Sequence, residues 1–220
     1  NLKKIGEIIS FLLAKLKIIK EEIKKLNIQK NQFELNFFEM WMWNYKTILS
    51  LTRFLEKNKF KKKHFDLIIN IWVCGYSWED LDEKNNFIQI SRIFNLASKK
   101  EIISPIFFKF WEIKNIFSSE KIIFDENKLV EKNFWDKEKK VWNIFVDMES
   151  YGFELVCEHF EVPRIILKIP VDKIWEETKN FDFEKAKQFL REKINYEKLF
   201  WVIKNFFNEN KIFFESKKIS

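Results

Sequence analysis

Glycine is the scarcest of the residues that shape a backbone here: 3 in 220, beside 3 prolines and 2 cysteines. Ordinary usage is about 7%, so tight turns, helix ends and close backbone approaches must be built largely from other residues. The cysteines, Cys74 and Cys157, lie far apart and outside any CxxC pair. That excludes a disulfide framework and a cysteine zinc site, and both are read as reduced core residues. Arginine is also rare, limited to Arg53, Arg92, Arg164 and Arg191. The net charge of +7 therefore comes from lysines scattered among Asn, Ile and Phe, a compositional bias more than a basic patch. Arginine is the usual reader of bases and phosphates, so no nucleic-acid partner is expected. No run approaches the ~18 uncharged apolar residues of a membrane span, and no apolar segment ends in a small-residue cleavage site near residue 1. The expectation is a soluble, cytoplasmic chain with no membrane partner.

What is present is a globular composition, 46% hydrophobic with 33% charged, spread along a length suited to one domain over residues 1–220. Residues 7–26 and 44–57 carry apolar residues at helical spacing, and 33–42 is aromatic and strand-like. Phe65-Asp66-Leu67-Ile68-Ile69-Asn70-Ile71, ending near Cys74-Gly75, has the near-continuous apolar pattern of a strand buried on both faces. Further strands are expected at 87–94, 101–110, 120–124 and 143–147. A helix at 149–160, a Val162-Pro163 turn, a strand from Arg164 to Ile169 and two helices at about 182–194 and 196–209 complete the reading. A βαβ unit followed by helices predicts an α/β fold: a three-layer α/β/α sandwich on a mixed, mainly parallel central sheet.

Within that frame, Val146-Asp147-Met148-Glu149-Ser150-Tyr151-Gly152 leads through the helix and turn to Lys168-Ile169-Pro170-Val171-Asp172. Glu149 and Asp172 are thereby expected at the C-terminal ends of two neighbouring parallel strands, where open α/β sheets bind ligands. Two carboxylates can divide labour there, one protonating a leaving group and the other stabilising positive charge that develops on a sugar. Taken singly, Glu149 reads more readily as an acid at a helix N-terminus and Asp172 as a cap of the next element; as a pair within the Asp147-to-Asp172 frame they favour function. Asp147 either helps to orient a ligand or simply ends its strand. His64 and His159 have no partner at catalytic spacing, and the Lys57–Lys63 run reads as a solvated loop.

The segment Asn143 to Asp172 resembles the nucleoside phosphorylase/nucleosidase superfamily, with its strand-end (V)(D/E)ME element, helix, (V/I)P turn and strand ending in SD. Phe65 to Gly75 resembles the family's DLVINxGxxG strand and loop. The resemblance implies a purine nucleoside as substrate, a homodimer and no cofactor. It implies Glu149 on the ribose 2′- and 3′-hydroxyls, Met148 lining the ribose pocket and Asp172 as general acid on purine N7. The backbone of the loop with Val73 and Gly75 would approach the sugar, and Phe124 is the candidate for stacking on the base. Val171 stands where the family has Ser, and Lys168-Ile169 where it commonly has Arg-Ala.

Phosphorolytic members hold phosphate with arginines, and Asn70 occupies one of those positions here, so the resemblance favours water as nucleophile. That implies a nucleosidase acting on 5′-methylthioadenosine, S-adenosylhomocysteine or a related nucleoside, with a phosphorylase of the same fold or a non-catalytic nucleoside-binding relative as the alternatives. Glu22, in Lys20-Glu21-Glu22-Ile23, is the candidate for activating water, beside its plain reading as part of a charged helix face. Finally, Trp stands where the family has Gly in Trp41-Met42-Trp43 and at Trp72. Counted with the nine tryptophans, glycine would reach twelve in 220, near ordinary usage of about 7%. Some or all of the nine tryptophans are therefore read as UGA codons of a lineage that decodes them as glycine, against the alternative of aromatic anchors.

Overall fold

The computed structural model describes residues 43–60, 65, 67–77, 87–106, 109, 111–121 and 144–174, all within the unit formed by residues 40–181. The elements in chain order are α1 (Asn44–Phe60), β1 (Ile68–Tyr76), β2 (Ile88–Asn95), β3 (Lys100–Ile103), β4 (Glu112–Ser118), β5 (Phe145–Asp147), α2 (Ser150–His159) and β6 (Arg164–Lys173). The expected helices at 44–57 and 149–160 and the strands at 65–71, 87–94, 143–147 and 164–169 are thus all represented. The strand expected over 101–110 shrinks to β3, and β4 was not anticipated. Its Glu112-Ile113-Lys114-Asn115 half carries too few apolar residues to signal a strand, although Ile116, Phe117 and Ser118 are buried. The segments expected at 7–26, 33–42, 182–194 and 196–209 lie outside the described residues.

The strands form one mixed sheet in the order β3-β2-β4-β5-β1-β6. The long pairings, β1 with β6 and β2 with β4, are parallel, as is the short β4–β5 pairing. β1–β5, β2–β3 and β2–β6 are antiparallel. Because β2 also meets β6, through Ile88 opposite Lys168 and Gln89 opposite Leu167, five strands close on themselves instead of lying as an open layer. α2 packs on β1, β2 and β6, and α1 packs on α2. Phe117, Phe145, Phe153, Ile88, Ile93 and Ile166 are almost fully enclosed, each burial contributing roughly 1.5–3 kcal/mol.

One expectation is corrected. β5 and β6 are not neighbouring parallel strands: β1 lies between them, antiparallel to β5 and parallel to β6. The crossover through α2 therefore skips a strand position. Gly75 of β1 nevertheless pairs with Val146 on one side and Asp172 on the other, so these three residues form one row, although β5 runs opposite to β1 and β6. The β1–β6 ladder passes from Cys74 opposite Pro170 to Gly75 opposite Asp172. Val171 is the extra residue of a bulge at that point, and the proline beside it has no N–H for the ladder.

The missing glycines are replaced in the turns by residues forced into left-handed backbone: Trp43 at φ 78°, Lys99 at φ 56° and Glu161 at φ 53°. Lys99 closes the β2–β3 hairpin, where Asn95 Oδ1 accepts from Ser98 N at 2.7 Å. Glu161 ends α2, and the following Val162 N–H returns to the Cys157 carbonyl at 3.0 Å. That position is ordinarily glycine.

Candidate functional site

β5 ends in Asp147, and the chain turns through Met148 and Glu149 into α2. Both acids are buried. Asp147 is the side chain that caps the helix: its Oδ2 accepts from Ser150 N at 3.1 Å and from the Ser150 hydroxyl. Glu149 occupies the N-cap position yet makes no side-chain cap bond. Its carboxylate accepts from Met148 N at 3.3 Å through Oε2 and turns into the sheet through Oε1. The capping role open to Glu149 is therefore taken by Asp147, because Asp is one methylene shorter and sits three residues before the amide it serves.

What Glu149 meets in the sheet is Lys168. The Lys168 Nζ lies 2.5 Å from Glu149 Oε1 and 2.8 Å from Asp147 Oδ2, and the lysine side chain has no solvent exposure. Burial opposes the ammonium charge, but the carboxylates of Asp147 and Glu149 outweigh it and carry the Lys168 pKa above its usual value. Sequence reasoning noted Lys168 only as a departure from a family pattern. The usable signal was the single charge inside Ile165-Ile166-Leu167-Lys168-Ile169, since a fully buried lysine requires a partner.

A polar cluster also missed from the sequence fixes the N-terminus of α2 against α1. Asn44 Oδ1 accepts from Gly152 N at 2.8 Å and from the Ser118 hydroxyl at 3.0 Å. Ser118 Oγ in turn accepts from Tyr151 N at 3.3 Å. Ser118 is opposite Asp147 in the β4–β5 pairing, and Ser119 N donates to the Asp147 carbonyl at 2.9 Å. Glu120, one residue on, lies at the first amides of α1: burial raises its pKa, and hydrogen bonds from Asn44 and Tyr45 partly offset the rise.

Of the sequence-derived candidates, Glu149 and Met148 stand on the β5–α2 turn, Val73 is buried in β1, and Gly75 and Asp172 pair in backbone register at the β1–β6 bulge. Strand spacing of about 4.8 Å sets Asp172 roughly 10 Å in the sheet from Val146, three residues before Glu149. Glu22 and Phe124 lie outside the described residues. The tryptophans divide. Trp43 holds positive φ with the Lys46 ammonium 4.4 Å from its ring centroid. Trp72 is a buried strand residue, and Trp111 packs edge-on to Phe87 with centroids 5.2 Å apart. Trp41, Trp78, Trp135, Trp142, Trp175 and Trp201 lie outside the described residues. Burial pushes the Cys157 thiol well above its usual pKa, as suits the inert core residue expected. No helix among the described residues is long and apolar enough to cross a membrane.

The sequence matches no family model and no curated protein. Solved structures do match. A Francisella philomiragia protein assigned as a 5′-methylthioadenosine/S-adenosylhomocysteine nucleosidase aligns over 87% of this chain and 94% of its own, with TM-score 0.60 and 13% identity. The Campylobacter jejuni nucleosidase of that name aligns over 68% of this chain and 72% of its own, with TM-score 0.51 and 17% identity. The Neisseria meningitidis nucleosidase, solved with methylthio-immucillin-A, aligns over 72% of this chain and 79% of its own, with TM-score 0.51 and 12% identity. Against two structures of the Chlamydia trachomatis MTAN the match spans 63% and 64% of that chain. The chain thus has the α/β fold of these nucleosidases, and the resemblance read from its motifs holds at the level of fold.

Proposed function

We propose that this protein is a hydrolase of the N-glycosidic bond of a purine nucleoside, with 5′-methylthioadenosine or S-adenosylhomocysteine as substrate class. The observation that carries the reading is the Glu149 carboxylate, buried and turned away from its helix into the sheet, three residues beyond the row in which Gly75 pairs with Asp172. In this mechanism Glu149 accepts hydrogen bonds from the ribose 2′- and 3′-hydroxyls. Its charge favours the oxocarbenium-like transition state. Met148 lines the ribose pocket, while the backbone of Val73 to Gly75 approaches the sugar. Asp172 protonates N7 as the C1′–N9 bond breaks, so the bonding electrons leave with a neutral base. Water, activated by Glu22, adds to C1′ and loses its proton to that carboxylate. Phe124 stacks on the purine. A homodimer completes the assembly.

Water is favoured over phosphate by where the arginines stand. Arg53 is exposed on α1, Arg92 is engaged with Glu101 at 2.6 Å, and Arg164 is engaged with Glu154. Among the described residues this leaves no arginine beside Glu149 for the bidentate phosphate contacts of a phosphorylase.

The test is release of free base from 5′-methylthioadenosine and S-adenosylhomocysteine by the purified chain, followed by chromatography with and without phosphate. Base with free sugar, abolished by Asp172→Asn and reduced at least 100-fold by Glu149→Gln, is the expected result. A sugar 1-phosphate formed only with phosphate would replace the hydrolase by a phosphorylase. No base from any purine nucleoside would leave a non-catalytic relative.

A further inference from the structure

The charged cluster under the β5–α2 turn holds two carboxylates and one ammonium, with side-chain exposures of 1% for Asp147, 6% for Glu149 and 0% for Lys168. Two buried carboxylates that share a site cannot both stay ionised without a cation: mutual repulsion and desolvation push one of them to take up a proton. The order of attachment in the cluster is also clear. Asp147 is pinned by Ser150, whose amide and hydroxyl it accepts. Lys168 is pinned by Asp147 at 2.8 Å, and Glu149 is pinned by Lys168 at 2.5 Å.

We infer that Lys168 is a positioning residue that keeps Glu149 ionised and aimed, so that a carboxylate anion, not a carboxylic acid, meets the hydroxyls of the ligand. The activity arm of this inference rests on the glycosidic reading above; the charge arm does not. The direction of the Lys168 pKa agrees, since the ammonium remains charged throughout the neutral range.

The other charges on the described residues of the elements around the cluster include Lys173 at the end of β6 and Lys114 of β4, which is paired with Glu112. On α2, Glu154 is committed to Arg164 of β6 at 2.9 Å, and the Cys157 thiol is neutral. β1 contributes the Cys74 thiol and the Tyr76 phenol, both buried. On β2, Arg92 is half exposed and paired with Glu101 of β3. Beyond β4, Glu120 faces the first amides of α1. Among the described residues, Lys168 is the cation seen directly on the Glu149 carboxylate.

The experiment uses the whole chain with Lys168→Met, Lys168→Arg and Asp147→Asn/Lys168→Met. The last keeps the charge sum of the native cluster, so it is expected to fold even where Lys168→Met does not. With 5′-methylthioadenosine as probe, removal of the ammonium is expected to move the acid limb of the kcat/KM profile upward by at least one pH unit. It should lower kcat at pH 7 at least 30-fold, with recovery towards pH 9. Lys168→Arg should restore the native acid limb and bring kcat within tenfold. Independently of turnover, difference infrared spectra at pH 7 should show a protonated carboxyl band in the variants without the ammonium. That band should be absent from the native chain and lost when Glu149→Gln is added. Folded variants with the native acid limb and no such band would overturn the role given to Lys168. A native chain that releases no base would instead overturn the glycosidic reading, and the infrared bands would still decide whether Lys168 sets the charge of Glu149.

Discussion

The Gly152 amide donates to the side chain of Asn44 at 2.8 Å, and the main chain of Asn44 fills the space where a Cβ on residue 152 would stand. One of three glycines is thus spent where α1 and α2 touch backbone to backbone, directly behind the turn that carries Glu149. Gly152→Ala is expected to force the helices apart and cost about 3 kcal/mol, at the upper end of overpacking effects. Urea unfolding followed by circular dichroism would show it as a lowered midpoint, and an unchanged midpoint would contradict the contact.

Trp43 and Trp72 respond oppositely to glycine. Left-handed backbone costs a residue with a Cβ about 1–2 kcal/mol, no less than the ~0.5–2 kcal/mol of a cation–π contact between half-buried partners such as Trp43 and Lys46. Trp43→Gly should therefore leave stability unchanged or raise it by up to about 1 kcal/mol. Trp72 is 6% exposed and has no positive φ, so Trp72→Gly should cost at least about 3 kcal/mol. Thermal unfolding of the two variants checks the pair. Codon identity at both positions, UGA or UGG, shows which residue is native.

Arg164 at the start of β6 and Glu154 on α2 form a buried pair. Breaking it one-sidedly strands a charge, so Arg164→Met should destabilise by roughly 3–5 kcal/mol. Arg164→Met/Glu154→Leu should recover most of that loss. A double-mutant cycle in denaturant measures the coupling, and additive effects would show that the pair contributes nothing.

Glu120 supplies a pH dependence with a definite sign. Its pKa is raised by burial above the ordinary 4.5, so the folded chain holds this proton more tightly than the unfolded one. Its contribution to stability is then present at low pH and lost as pH rises from 4.5 through the folded value. Native stability minus that of Glu120→Gln should fall over that interval. A difference that stays flat or rises with pH would contradict the burial of this carboxylate.

Much of this was legible in local pattern. The apolar run after Phe65 announced β1, the Val162-Pro163 break separated α2 from β6, and Asp147-Met148-Glu149 pointed to the candidate site. β4 was not legible, because its exposed to half-buried first half, Glu112 to Asn115, is held extended by pairing with β2 and carries little apolar signal of its own. The neighbourhood of β5 and β6 was misread for a related reason. A βαβ pattern states that a crossover exists but not how many strands it passes over, and here β1 occupies the gap. Asn44 and Ser118, 74 residues apart and hydrogen-bonded, leave no local trace.

Residue types and their spacing determined the α/β class and singled out the segment and the two acids proposed to carry the chemistry, since periodicity and turn residues act over a few positions at a time. Only the folded chain decided that Asp147 caps a helix while Glu149 does not, that Lys168 pairs with both, and that Gly75 stands between Val146 and Asp172. Those outcomes depend on which strands lie side by side and on the removal of water from charges distant in sequence, and neither is encoded in any short stretch of residues.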